Sequence, residues 1–182
     1  MKTRGSNKHK RTSWLKKPIM AGQYHHWLIN AGSLTARLKQ RYADFQVQTV
    51  AVGYAKPFID EAAVLAAPVH RHALIREVLL LGNGQAVVFA HSVLPRCCLR
   101  GRWLGLIKLG NQPLGAKLFA NPQVKRTPLS FKKLFHQHLL YQHTITGLND
   151  RPPFLWARRS LFSLNNANIM VTEVFLPQLL IK

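Results

Sequence analysis

Carboxylates are scarce in this chain, which has six Asp and Glu among 182 residues against 26 Lys and Arg. The net charge of +20 predicts a positive field that attracts nucleic acid, acidic lipid headgroups and small polyanions without choosing among them. With so few carboxylates and no cysteines at zinc-finger spacing, the pairs His70-x-His72 and His136-x-His138 are interpreted as solvated histidines. No metal site is therefore expected.

Cysteines, long apolar runs and phosphate-binding glycine motifs are also lacking. The two cysteines are the neighbours Cys97 and Cys98, which cannot link distant segments and indicate a reducing compartment. No stretch approaches the roughly 20 apolar residues of a membrane span, and no apolar segment follows the N-terminal charges as in a secretory signal. We therefore expect a soluble, cytoplasmic protein.

A substantial core is nevertheless expected, because hydrophobic residues make up 47% of the chain. The length fits one domain, which we place at residues 21–182. Residues 1–20 form a basic N-terminal arm that is expected to be mobile, since its first eighteen residues hold seven Lys or Arg. This arm suggests a weak contact with an acidic membrane surface.

The pattern along the chain predicts an α+β fold with a single antiparallel β-sheet and helices packed on one side. Two predicted helix-turn-helix units break at Gly32 and at Gly110-Asn111, and Ser33 is placed to cap the second helix of the first unit. Residues 53–68 are predicted to be a connection and residues 132–143 an amphipathic helix. The predicted strands are residues 45–52, a hairpin of residues 73–81 and 85–95, and a second hairpin that turns at Asn165-Asn166.

Two charged side chains stand out inside predicted strands. Alternation places Arg76 on one face with Leu74, Val78 and Leu80, and it places Glu77 on the other. Glu173 interrupts the apolar run "NIMVTEVFLP" and shares its face with apolar neighbours. Because an unpaired buried carboxylate costs several kcal/mol, Glu173 requires a structural or a functional reason.

Two explanations of Glu173 follow from the residues. In the first, Glu173 forms a structural ion pair with Arg76 or with an arginine of the Arg158-Arg159 pair. In the second, Arg76 and Glu173 stand at opposite ends of an apolar ligand pocket. In the second case Arg76 binds a ligand carboxylate, and Glu173 bonds a hydroxyl or moves a proton. Helix N-termini at residues 33–35 and 113–115 would fit the same anionic ligand, although ordinary capping explains them equally.

An ordered set of segments resembles the chorismate lyase family, the chorismate–pyruvate lyases of ubiquinone biosynthesis. The set covers most of residues 32–177, and no single member decides the match. It departs from the family where some members carry Arg-Glu-Gly and this chain has Ala51-Val52-Gly53. The segments are "GSLTARL", "REVLL", "SVLP", "LGNQPLGAKLF", "WARRS" and "TEVFLP".

The resemblance implies conversion of chorismate to 4-hydroxybenzoate and pyruvate without metal or organic cofactor. It also implies a buried pocket closed by helix-turn-helix flaps over the sheet. Arg76 matches the family's residue for the ligand carboxylate, Glu173 matches the acidic residue at the ligand hydroxyl, and both are expected to be catalytic. Leu34 and Leu114 match positions whose backbone N–H groups bind the ligand. We expect a monomer without a specific nucleic-acid partner.

Two other functions compete with this one. Effector domains of transcription regulators share this kind of fold and bind small molecules without converting them. A basic nucleic-acid-binding protein is favoured by the charge alone, because no recognisable motif or array of stacking aromatics accompanies it.

Overall fold

A seven-stranded antiparallel sheet forms the centre of the molecule, with strand order β1-β2-β3-β7-β6-β4 and with β5 also paired to β6. The computed structural model describes residues 13–68, 70–99, 103–106, 109–148 and 150–181. The strands are β1 (Phe45–Ala55), β2 (Ala73–Gly82), β3 (Gln85–Pro95), β4 (Lys125–Arg126), β5 (Ser130–Leu134), β6 (Leu155–Leu164) and β7 (Ala167–Phe175). The helices are α1 (His25–Leu28), α2 (Leu34–Arg41), α3 (Ile59–Val64), α4 (Leu114–Ala120) and α5 (Leu139–Ile145), and short 3-10 turns occur at Gly22–Tyr24, Leu104–Leu106 and Pro177–Leu180.

Two tight turns fix the hairpins that the sequence predicts. The turn between β2 and β3 has positive φ at Asn83 (50°) and Gly84 (77°), and the turn between β6 and β7 has positive φ at Asn165 (50°) and Asn166 (63°). Two consecutive residues with positive φ match the twist of antiparallel strands, and Asn and Gly tolerate this conformation best. Both predicted hairpins are confirmed.

The sheet is covered on both faces. On one face, Trp27 and Leu28 of α1 and Leu38 of α2 pack with strand residues. On the opposite face, Leu140 and Tyr141 of α5 pack on strand residues that include Phe89, Leu155 and Val174. The α+β class with a single antiparallel sheet is confirmed. The expectation of helices on one side describes α1, α2 and α4, whereas α3 and α5 lie on the other face because that face is apolar too.

Two local predictions are wrong. The predicted amphipathic helix of residues 132–143 is instead β5, a turn and α5, because pairing with β6 outweighs the helical spacing of the apolar residues. The predicted connection of residues 53–68 contains the end of β1 and all of α3. α3 is only six residues long, and its stability comes from packing rather than from a long periodic pattern.

The described part of the N-terminal arm contacts the fold. Leu15 forms a two-way backbone bridge with Phe131 of β5, and the Trp14 indole donates a hydrogen bond to Asp60. Residues 1–12 of the predicted arm lie outside the described residues, and the mobility of the arm stays a prediction. Over the described ranges, no helix is both long and apolar enough to cross a membrane.

Candidate active site

A small cavity lies between the sheet and two helical segments. The first flap, residues 25–41, contains α1 and α2, and the second flap, residues 109–120, contains α4. The cavity has a volume of about 40 Å³ and is lined by both flaps and by β1, β2, β3, β6 and β7. The structure brings all four residues that the sequence singled out to its wall: Leu34, Arg76, Leu114 and Glu173.

One helix of each flap begins at the cavity: α2 in the first flap and α4 in the second. The Ser33 side chain caps α2 by accepting a hydrogen bond from the Ala36 N–H, as the sequence predicts. Leu34 is the first residue of α2, and Leu114 is the first residue of α4 after Pro113. Because the first N–H groups of a helix have no partner within it, both positions present backbone donors near the cavity wall.

Arg76 reaches from β2 to the second flap. Its side chain is buried, and Nη2 donates to the carbonyls of Gly110 and Gln112, both at 2.9 Å. Among the described residues, Nε of Arg76 has no hydrogen-bond partner although it is buried. Burial lowers the pKa of Arg76, but a guanidinium stays charged in proteins. A buried donor of a cation without a partner is costly, so an incoming anion that accepted from it would be strongly favoured.

Glu173 pairs with Arg158 across the β6–β7 hairpin. Oε2 of Glu173 lies 2.5 Å from Nε of Arg158, and Nη1 of Arg158 also donates to the carbonyls of Trp27 and Asn30 at the end of α1. The Arg158 side chain is 1% exposed. Glu173 thus forms the structural ion pair with an arginine of the Arg158-Arg159 pair and also lines the cavity, while its role toward a ligand stays a prediction.

The surroundings of the cavity carry excess positive charge. Arg76, Arg126 and Arg158 lie around it, and Glu173 is the carboxylate on its wall. Burial lowers the pKa of Arg126, the charge of Glu173 opposes this decrease, and Arg158 adds to it. Three guanidinium groups around one carboxylate favour a ligand with more than one negative charge.

The partner of Glu173 could have been identified from the sequence alone. A two-residue turn at Asn165-Asn166 sets Leu164 opposite Ala167, and counting six residues along each strand then sets Arg158 opposite Glu173. Without this count, Arg158 is one of three candidate partners, with Arg76 and Arg159. Arg126, from the two-residue strand β4, had no comparable signal.

A second cluster of charges, on the opposite face of the sheet, was missed by the sequence analysis. Nδ1 of His91 and Nδ1 of His143 each lie 2.9 Å from the same oxygen of Glu77. Nε2 of His91 lies 3.2 Å from Glu61, a close contact of charges that is not well aligned as a hydrogen bond. The Phe58 ring stacks on the His91 ring. Glu61 caps α3 by accepting a hydrogen bond from the Phe58 N–H, and it is buried.

This cluster predicts a loss of stability at alkaline pH. Burial alone would lower the pKa of His91, but the hydrogen bond with Glu77 and the charges of Glu61 and Glu77 outweigh it and raise the pKa to about 9. The bound proton therefore stabilises the folded state fully below the unfolded value of 6.5, and this contribution is lost as the pH rises through 9. A shift of this size corresponds to about 3 kcal/mol. In urea unfolding, the free energy of unfolding should decrease more between pH 6.5 and pH 9.5 in the wild type than in His91→Gln.

The exposed His136 supplies the control for this measurement, and His136→Gln should keep the wild-type pH dependence. If the free energy of unfolding decreased equally in the wild type and in His91→Gln, the role given to His91 would be contradicted.

In the portion of the chain that the structure describes, no group of three or more His, Cys, Asp or Glu side chains is placed to hold a metal ion. The expectation that the protein uses no metal stays a prediction.

Comparisons with known proteins agree on one family. The family model described as chorismate lyase matches residues 9–182. A probable chorismate pyruvate-lyase of Nitrosomonas europaea is 46% identical over 91% of this chain and 93% of its own, and one of Methylobacillus flagellatus is 43% identical over 93% of this chain and 96% of its own.

Solved structures show the same fold at low identity. The effector domain of PhnF from Mycobacterium smegmatis matches with a TM-score of 0.55 and 18% identity, covering 82% of this chain and 91% of that one. This likeness concerns the fold alone. The family match over nearly the whole chain, together with relatives above 40% identity, shows that the chain belongs to the chorismate lyase family.

Proposed function

We propose that the protein is a chorismate–pyruvate lyase that converts chorismate to 4-hydroxybenzoate and pyruvate. One observation carries the proposal: the buried Arg76, whose Nε lacks a partner among the described residues, and Glu173 line the same cavity. The relatives named probable chorismate pyruvate-lyases support the choice of substrate. The excess positive charge around the cavity suits chorismate, which carries two carboxylates.

The reaction needs little from the protein beyond positioning. The bond between C3 and the ether oxygen breaks, C4 loses its proton, and the enolpyruvyl methylene gains a proton to give pyruvate. The ring becomes aromatic as this happens, so much of the driving force lies in the substrate. Holding the dianion in its reactive conformation and excluding water are the tasks left to the cavity.

Arg76 binds the ring carboxylate in this proposal, with the backbone N–H groups of Leu34 and Leu114 as further donors. The contacts of Arg76 with Gly110 and Gln112 support this role, since they fix the guanidinium before substrate arrives. Arg76 thereby joins the ligand to the second flap.

Glu173 accepts a hydrogen bond from the C4 hydroxyl in this proposal. Its Oε2 is held by Arg158, and across the described residues Oε1 has no hydrogen-bond partner. The C4 proton has two routes, to Glu173 or directly to the enolpyruvyl methylene in a cyclic step. Because the ion pair with Arg158 fixes the carboxylate beside the sheet, it supports positioning of the hydroxyl and the direct route.

Substrate entry requires the flaps to move. A volume of about 40 Å³ is far below the roughly 300–1,000 Å³ of pockets that hold small organic ligands. Thr35 of the first flap and Gly115 of the second lie close together: a Cβ added to Gly115 would lie 3.5 Å from Oγ1 of Thr35. The structure thus corresponds to a closed state that must open for chorismate to enter.

The finer assignments belong to the same proposal. We place the reaction at the first committed step of ubiquinone biosynthesis, in the cytoplasm, carried out by a monomer without cofactor and with at most a weak contact to acidic membrane. A binding module that does not convert its ligand is the second candidate, because the fold is shared with an effector domain.

One assay separates these candidates. Purified protein incubated with chorismate in the presence of a metal chelator should release 4-hydroxybenzoate and pyruvate in equal amounts. Product formation no faster than in a protein-free control, with 4-hydroxybenzoate still bound, would favour the binding module. Salt-sensitive binding to bulk DNA without any effect on chorismate would favour the nucleic-acid-binding protein.

A further inference from the structure

Arg126 contacts both flaps as well as the sheet. It lies in β4, opposite Phe162 of β6. Its Nε donates to Oγ of Ser160 at 2.8 Å, and its Nη1 donates to the carbonyl of Ala31 at 2.5 Å. Ala31 belongs to the turn between α1 and α2, so this bond ties the first flap to the sheet.

The same guanidinium packs against the second flap. Its central carbon lies 5.3 Å from the centre of the Phe119 ring of α4 and 5.1 Å from the centre of the Phe162 ring. These two rings meet edge to face, with centroids 5.7 Å apart and planes at 82°. A cation beside aromatic faces is attracted to them, and the attraction is stronger where water is excluded. Phe119 and Phe162 both line the cavity.

Among the residues that the structure describes, no carboxylate lies in hydrogen-bond contact with the Arg126 guanidinium. Within the described residues its hydrogen bonds go to a hydroxyl and a carbonyl, and Glu173 acts on it through the longer-range field. A half-buried cation in this position gains its stabilisation from the closed arrangement of the flaps. When either flap opens, Arg126 loses the Ala31 bond or the Phe119 ring.

We propose that Arg126 is a positioning residue that links the two flaps and holds them closed together over the cavity. It acts through the carbonyl of Ala31 and the ring of Phe119, and does not touch the substrate. The consequence for the reaction rests on the proposed function: closure retains the ligand and excludes water, so loss of the link should weaken ligand binding more than it slows turnover.

The first test needs no substrate. In Arg126→Met, hydrogen exchange of backbone amides should become about tenfold faster in α2 of the first flap and in α4 of the second, with no change in β3 and β7. A change of this size is expected for the loss of one charge-assisted hydrogen bond. Lys125→Met is the matched control, because Lys125 is the exposed neighbour on the same strand and should leave exchange unchanged. Exchange that is unchanged in the flaps, or that rises equally in β3 and β7, would overturn the proposal.

A second variant separates the link from simple charge. Arg126→Lys keeps the cation but loses the planar group that meets the Ala31 carbonyl, Ser160 and two rings at once. It should therefore keep the fast flap exchange of Arg126→Met. Recovery of the wild-type exchange rate in Arg126→Lys would show that a positive charge is sufficient to hold the flaps closed and would contradict the link.

Ligand binding gives the functional measurement. Affinity for 4-hydroxybenzoate should decrease about tenfold in Arg126→Met, and the KM for chorismate should rise by more than kcat falls. Arg126→Met combined with Phe119→Leu should weaken binding less than the sum of the single changes, because both act on one contact. Additive effects would contradict the link. If the wild type does not convert chorismate while the exchange results hold, the proposed function fails and the link stands.

Discussion

Replacing Arg76 with Met should decrease kcat/KM for chorismate by roughly 30-fold to 4,000-fold, corresponding to about 2–5 kcal/mol for removing one member of a buried charge pair. The effect has two sources. Under the proposed function the ligand carboxylate loses its guanidinium, and the second flap loses the bonds from Nη2 to Gly110 and Gln112. Arg76→Lys should recover little of the lost kcat/KM, because an ammonium cannot bind two flap carbonyls and a carboxylate in one plane. Steady-state kinetics of release of 4-hydroxybenzoate measure both variants.

Two controls keep this result interpretable. Arg151→Met removes an exposed arginine and should leave kcat/KM within twofold, which excludes a general effect of net charge. Melting temperatures of all variants show how much of a decrease in kcat/KM comes from unfolding. A well-folded Arg76→Met enzyme with wild-type kcat/KM would remove Arg76 from the site and with it the main support for the proposed function.

A disulfide between the flaps should stop the reaction almost completely and reversibly. In the double variant Thr35→Cys, Gly115→Cys, the new sulfur at position 35 takes the place of an oxygen that lies 3.5 Å from the Cβ position of residue 115. Because that oxygen is one bond from the Thr35 Cβ, the two Cβ atoms lie within about 5 Å, which is compatible with the roughly 3.5–4.5 Å between Cβ atoms in a disulfide. With the flaps joined, chorismate cannot enter a cavity of about 40 Å³. Product formation measured before and after oxidation, and again after dithiothreitol, tests the expectation.

The single cysteine variants and the wild type, oxidised in the same way, account for Cys97 and Cys98, which are free thiols in the structure. Mass spectrometry confirms that the new bond has formed. A fully crosslinked enzyme that still converts chorismate at the wild-type rate would show that substrate enters by another route.

Strand periodicity predicted more of the site than helical periodicity did. Alternation along β2 and β7 placed Arg76 and Glu173 on the correct faces, because a strand has only two faces and the apolar neighbours identify the covered one. The helices were less predictable. Phe131 and Leu134 fit a helical stripe, yet they belong to a strand that pairs with β6, and that pairing depends on residues about 25 positions away.

Register shows why one charge cluster could be found from the sequence and the other could not. In the β6–β7 hairpin the pairing continues unbroken from the turn, so Arg158 opposite Glu173 follows from counting. In the β2–β3 hairpin the register shifts between Leu80 and Leu81, so counting from the turn would pair Glu77 with Ala90 instead of His91. Such a bulge inserts one residue without a clear sequence signal. The buried histidine cluster was hidden for this reason.

The distribution of the six carboxylates determines how the molecules meet one another in solution. Glu61, Glu77 and Glu173 are engaged inside the fold, and Asp60 contacts Arg159 at the surface. Among the described residues, Asp44 and Asp150 are exposed and form no ion pair. With a net charge of +20, neighbouring molecules repel each other, and this repulsion opposes self-association at low ionic strength and fades as dissolved anions screen it.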